Sequence, residues 1–214
     1  MIKFEHTDVH GFEAAIRGCR NPLNSWHLSD SGYRPSYVCE GEVYEIGDKD
    51  LALMMKLSKA GSDHGKYLRM INVTVDITAP TYWVAEHDTY KVGTTANSCS
   101  TMHKIHAKEF TLDDFSHEHL QPVPLYALKR VIECLNDARD DFIAIKDKED
   151  WWQMIQLLPT SYNQKRTVML NYEVLAGLYP DRKHHKLDEW HTFCDWIESL
   201  PYSELITVGK ESKQ

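Results

Sequence analysis

INVTVDITAPTYWVAEHDTYKVGTTANSCST, residues 71–101, is the stretch on which the fold turns. Ile71, Val73, Val75 and Ile77 alternate with Asn72, Thr74, Asp76 and Thr78. This period of two, rich in β-branched residues, predicts a strand with one buried face and one polar face. Thr78-Ala79-Pro80 supplies an N-cap and an early helical proline, so a helix is expected through TYWVAEHDTYK, ending before Gly93. A strand therefore feeds directly into a helix. The loop that follows joins one cation, Lys91, to a run of small hydroxyl residues and one glycine, a composition suited to phosphate. A polar surface loop fits the same composition.

Working outward, GDKDLALMMKLSKAGSD predicts a helix with Asp48 or Asp50 near its start and Gly61 as its stop. Before it lie a short helix, Phe12 to Cys19, and an ordered loop, NPLNSWHLSDSGYRP. After it, residues 93–122 read as loop. Pro124 opens the longest helix, on which Leu125, Leu128, Ile132, Leu135 and Phe142 recur at helical spacing, and a shorter helix, DWWQMIQLL, ends at Pro159. From about Thr167 the chain reads helical to Gly177, breaks at Tyr179-Pro180, and resumes from His184 or Lys186 to Pro201. The sum is a mixed α/β chain in which helix predominates.

With 42% hydrophobic and 26% charged residues over 214 positions, the composition is globular and fits one domain, 1–214. Apolar runs are short and the first ten residues carry charges, so a soluble, cytoplasmic protein is expected. The net charge of −8 argues against nucleic acid or an anionic membrane as partner. Cys19, Cys39, Cys99, Cys134 and Cys194 include no CxxC pair and read as thiols. Twelve histidines fall partly in clusters, His103 with His106, His117 with His119, and His184 with His185 and His191, none with metal-ligand spacing, so no metal is expected. Cys99 has His103 near it but no nucleophile signature around it, and neither a Rossmann nor a P-loop fingerprint occurs.

In order of elements, residues 50–200 resemble the flavin-dependent thymidylate synthases. That family has a turn histidine before a strand, an Ala-Pro pair opening a helix, and then an Arg-His-Arg-x-x-Ser-x-Asn-Glu-x-Ser-x-Arg motif. Here His64 stands at the turn, the strand follows, Ala79-Pro80 opens the helix, and Thr89-Tyr90-Lys91 falls on Arg-His-Arg. Aligned without a gap, Thr94 takes the first Ser and Cys99 the second; with one inserted residue, Asn97 takes the Asn and Ser100 the second Ser. Asn171, Leu175 and Arg182 match an Asn, a Leu and an Arg of the family's Asn-x-Arg-Ser-Leu to Leu-Arg segment, and the helix around Trp190 stands at its final helix. The chain departs from the pattern at Thr89 and Tyr90, at the last motif Arg (Thr101 or Met102), and at Glu173, where the family has an Arg two residues beyond the Asn.

The resemblance implies a helix-rich fold around a central antiparallel sheet. It also implies a homotetramer with FAD between subunits, dUMP or a related pyrimidine nucleotide stacked on the flavin, NADPH as reductant and methylenetetrahydrofolate as carbon donor. Lys91 is then the retained cation, both catalytic and cofactor-binding. His64, Asn97, Asn171 and Arg182 are flavin contacts, and Thr94, Ser100 and Thr101 substrate contacts. In the family the missing arginines hold the dUMP phosphate and polarise the pyrimidine, so their replacement leaves open an inactive protein of the same fold that binds a nucleotide or a protein partner. Taken singly, Asn171 also fits a helix-surface residue and Arg182 a partner of a helix dipole.

Overall fold

The computed structural model describes residues 1–36 and 41–207, so the reading of Cys39 as a thiol lies outside the described residues. Six strands organise the chain: β1 (Lys3–His10), β2 (Gly32–Pro35), β3 (Glu42–Glu45), β4 (Asn72–Pro80), β5 (Thr95–Ser98) and β6 (Asn163–Asn171). Four form one sheet in the order β1-β4-β6-β5, and β2 pairs antiparallel with β3 from Gly32↔Glu45 to Pro35↔Glu42. The helix-rich fold with a central antiparallel sheet stands as expected. β4 buries Val73, Val75, Ile77 and Ala79 while the residues between them stay half-exposed, as its period of two requires.

The backbone divides into two compact units. One comprises Met1–Glu5, Asp76–Thr89 and Ala96–Val168. It holds α3 (Thr81–His87), α4 (Thr101–Lys104), α5 (Pro122–Ile145) and α6 (Lys148–Leu157). Leu128, Ile132 and Leu135 of α5 and Met154 of α6 close a core with Ile105, Phe110 and Phe115. The other, among the described residues, comprises 6–36, 41–75, Tyr90–Thr95 and 169–207, with α1 (Phe12–Arg20), α2 (Asp48–Lys59), α7 (Tyr172–Arg182), α8 (Asp188–Glu198) and α9 (Glu204–Thr207). Here Ile16, Met54, Leu68, Tyr172, Leu175, Trp190, Phe193 and Leu205 are buried, with Phe12 edge-on to Tyr172.

The stretch expected as an ordered loop is two 3-10 turns followed by β2, and one buried carboxylate orders it. Asp50 accepts from Arg20 Nε (2.5 Å), Ser29 Oγ (2.6 Å), Ser31 Oγ (2.7 Å) and the amides of Asp30 and Ser31. Burial works to raise its pKa, but the hydrogen bonds outweigh it and hold the carboxyl below its ordinary value. Asp30 in turn accepts from the amides of Lys49 and Asp50 at the start of α2.

Five sequence expectations need correction. β1 was not foreseen, because the charges of KFEHTDVH suit a mostly exposed strand and hide it. The strand before α3 runs on to Pro80, which takes the N-cap position in place of Thr78. That helix stops at His87, short of Lys91, since the Thr89 hydroxyl donates to the Glu86 carbonyl (2.7 Å) and turns the chain. The segment from Thr167 is not helical: Arg166, Val168 and Leu170 are buried while Lys165, Thr167 and Met169 are exposed, which is the period of β6. Helix begins only at Tyr172. It then runs through Pro180 to Arg182, held by the buried Leu175, Ala176, Leu178 and Tyr179 despite the proline's missing N–H. Smaller shifts place the start of the longest helix at Pro122 and a short strand and helical turn within 93–122.

Candidate functional site

At the junction of β6 and α7, Asn171 ends the strand and caps the helix. Its Oδ1 accepts from the Val174 amide at 3.0 Å, and the Tyr172 amide donates to the Ile71 carbonyl at 3.0 Å, tying the junction to the residue before β4. The Lys91–Thr94 turn is seated against this cap. Gly93 has φ +77°, and a Cβ there would stand 3.1 Å from Asn171 Nδ2 and 3.0 Å from Val174 Cγ2, so the turn needs glycine for both conformation and closeness. Beside it the Thr94 hydroxyl is buried with no hydrogen-bond partner among the described residues. Lys91 is exposed and forms no ion pair among the described residues.

Glu173, in the first turn of α7, holds Arg69 through two bonds, Nε to Oε2 at 2.5 Å and Nη2 to Oε1 at 3.0 Å. The hydrogen bonds and charge of Glu173 raise the Arg69 pKa above its ordinary value. Arg69 belongs to the 3-10 helix Gly65–Met70, which walls a cavity of about 670 Å³, and His64, the N-cap of that helix, lines the same cavity. The volume lies within the ~300–1,000 Å³ usual for small-molecule sites. Leu23, Leu57 and Met70 give it apolar walls, and Lys66 and Arg69 add cations. Cys19 also lines it, but burial pushes that thiol up to about 12, so it is no nucleophile.

Arg182 lies at the far end of α7, roughly 16 Å from Asn171 at 1.5 Å per residue. Its guanidinium carbon sits 4.4 Å from the Trp190 ring centre and 5.3 Å from that of Tyr90, and its Nε donates to the Tyr90 hydroxyl at 2.9 Å. Thus Asn171 and the Lys91–Thr94 turn meet at the N-terminal end of α7, where Glu173 pairs with Arg69, a lining residue of the cavity that His64 also lines, while Arg182 stands at the other end. Asn97, Ser100 and Thr101 belong to the other unit. Asn97 is exposed on β5, Ser100 caps α4 by accepting from the His103 amide at 3.0 Å, and Thr101 is the first residue of α4.

In solved structures the same architecture recurs. The chain matches the flavin-dependent thymidylate synthase ThyX from Helicobacter pylori, complexed with FAD and dUMP, over 98% of its own length and 99% of that chain, with a TM-score of 0.68 at 15% identity. The chain has the flavin-dependent thymidylate synthase fold. The UMP/dUMP methylase PolB from Streptomyces cacaoi, bound with 5-Br dUMP, matches over 99% of this chain and 96% of that one, with a TM-score of 0.64 at 14% identity. No protein-family model matches the sequence, and neither does any curated protein.

Within this thymidylate synthase fold, Arg69 carries no local motif that would single it out. Glu173, where the resembled family has an Arg, is the one signal in the sequence, since a partly buried carboxylate calls for a cation, but its partner lies 104 residues away. Tyr90, which falls on the motif histidine, has a structural task in its bond to Arg182. Among the described residues no group of three or more His, Cys, Asp and Glu side chains could hold a metal ion, and no helix is long and apolar enough to cross a membrane.

Proposed function

We propose that this chain is a cytoplasmic, single-domain flavoprotein that methylates dUMP or a related pyrimidine nucleotide, with methylenetetrahydrofolate as carbon donor and NADPH as reductant. The observation that carries the reading is the His64 cavity, whose apolar walls and neighbouring Lys66 and Arg69 suit a flat ring bearing phosphate. FAD, when bound, supplies the redox chemistry. The chain's own residues bind and orient. Leu23, Leu57 and Met70 exclude water from the ring, His64 contacts it, and Asn171 and Arg182 hold the flavin at either end of α7. Lys91 draws an anionic group to its turn, where the orphaned Thr94 hydroxyl has a hydrogen bond to give. Asn97 joins the flavin contacts. Ser100 and Thr101 serve the substrate, the Ser100 hydroxyl hydrogen being free for a ligand while its oxygen caps α4. Sites shared between subunits make the working form a homotetramer.

An absorbance spectrum of the native protein, followed by titration with FAD and dUMP, tests this. A bound flavin and saturable dUMP binding are expected, and failure of both ligands to bind at millimolar concentration overturns it. One observation favours a second reading, an inactive binder of a nucleotide or a protein partner. Thr89 and Tyr90 stand where the family carries Arg-His, yet Thr89 closes the turn after α3 and Tyr90 anchors Arg182. Incubation with dUMP, methylenetetrahydrofolate, NADPH and FAD decides between them: both ligands bound and no methylated nucleotide selects the inactive binder.

A further inference from the structure

The Arg69–Glu173 pair has an asymmetry that bears on the ligand. Glu173 occupies the Nε and Nη2 side of the guanidinium, so the plane of the fork is fixed, while Nη1 has no partner among the described residues. The same arginine lines the His64 cavity, where Asp63 is the one acid among the lining residues. A flexible lysine is a point charge, whereas a guanidinium held along one edge presents its remaining N–H groups in a set direction. Lys66, the other cation of the lining, is exposed and forms no ion pair among the described residues. Glu173 is itself fixed in the first turn of α7, so the arginine that it holds is contributed by a different element, the 3-10 helix before β4.

We propose that Arg69 is the residue that recognises the phosphate of the ligand in the His64 cavity, and that Glu173 is its positioning residue. The inference rests on the reading of that cavity as a flavin site. If the pair were only a surface salt bridge, its removal would cost little stability and no affinity.

The test titrates riboflavin, FMN and FAD, one ring system with no, one and two phosphates, into the full chain and into Arg69→Gln, Arg69→Lys and the exchange Arg69→Glu with Glu173→Arg. Melting temperatures taken alongside show that each variant is folded, as expected for a pair whose arginine side chain is 59% exposed. Arg69→Gln should weaken FMN and FAD by about tenfold or more and leave riboflavin unchanged, the loss expected of one charge-assisted hydrogen bond. Arg69→Lys should lose part of that, because the charge stays and the fork goes. The exchanged pair should bind FMN no better than Arg69→Gln, since it puts a carboxylate into the cavity lining and moves the guanidinium to position 173, outside that lining; recovery of FMN binding by the exchange overturns Arg69 as the recognising residue. FMN bound equally well by Arg69→Gln and wild type overturns the inference while leaving the flavin reading intact. If wild type binds no flavin, that reading fails and inorganic pyrophosphate replaces it as probe in the same proteins. Binding by wild type that Arg69→Gln loses then upholds Arg69, and absence of pyrophosphate binding by wild type overturns it.

Discussion

Lys91 and His87 show how position decides what a side chain is for. α3 ends at His87, so Lys91 lies four residues past the helix, and the reach of a helix dipole falls off within its last turn. A stabilising role for Lys91 at that terminus is thereby removed. Lys91→Ala should cut dUMP or FAD affinity about tenfold, the cost of a lost charge-assisted contact, and leave the melting temperature of the free protein in place. Unchanged affinity in the titration would return Lys91 to the solvated surface. His87 is the opposite case: buried, stacked on Trp83 at 5.0 Å, and held at a pKa of about 4 by burial and then by the Arg166 guanidinium, against the pull of Asp88. The unfolded chain takes up this proton near pH 6.5 and the folded one only near 4. Stability is therefore complete above 6.5, falls by about 3 kcal/mol as the pH drops to about 4, and is level below that as far as His87 is concerned. Urea midpoints between pH 7.5 and 4 should show a slope that His87→Phe flattens; an equal slope in both proteins would assign the proton elsewhere.

Among elements, the junction of β6 and α7 carries most of what joins fold to site. Asn171→Ala removes the cap from α7 and should cost about 1 kcal/mol in urea unfolding, a price set by the amide it leaves unpaired. A loss of flavin affinity beyond that stability change marks Asn171 Nδ2, which faces Gly93, as a ligand contact as well. The sequence offers Asn171 as a flavin contact only through the resemblance and does not mark it as a cap, because Thr-Val-Met-Leu before it mixes helix formers with strand formers. Only the burial of Arg166, an arginine on the inner face, reveals the two-residue period. β4 was legible for the reverse reason, since its inner positions are all Ile, Val or Ala and its outer ones polar. α2 was legible through its acidic start and Gly61, and α5 through its apolar stripe. What stayed hidden were pairings made across long chain separations, Arg69 with Glu173, Arg182 with Tyr90, and Arg20 with Asp50. Local pattern carries no information about such partners.

At the scale of the whole molecule, Leu23, Trp26, Leu28 and Tyr33 are each more than half exposed within eleven consecutive residues. Scattered apolar residues on a surface need no explanation, but four on one segment do. This segment is held in place by the Asp50 network and not by burial of its own apolar side chains, so its order is secured before anything covers it. Leu23 also lines the His64 cavity, which joins the exposed stretch to the proposed flavin site. A second subunit lying on Trp26 and Leu28 would hide the stretch and add to the cavity wall in one step, which is what the proposed sharing of flavin between subunits calls for. The proposed homotetramer, with this contact as one of its interfaces, should give four times the chain mass of 24.9 kDa in light scattering at micromolar concentration. The paired change Trp26→Ser and Leu28→Ser should lower that mass and weaken flavin binding together, because the same contact serves both. A wild-type protein that scatters as a monomer, or a dissociated variant that still binds flavin as tightly, would separate assembly from the site and confine the cavity to a single chain.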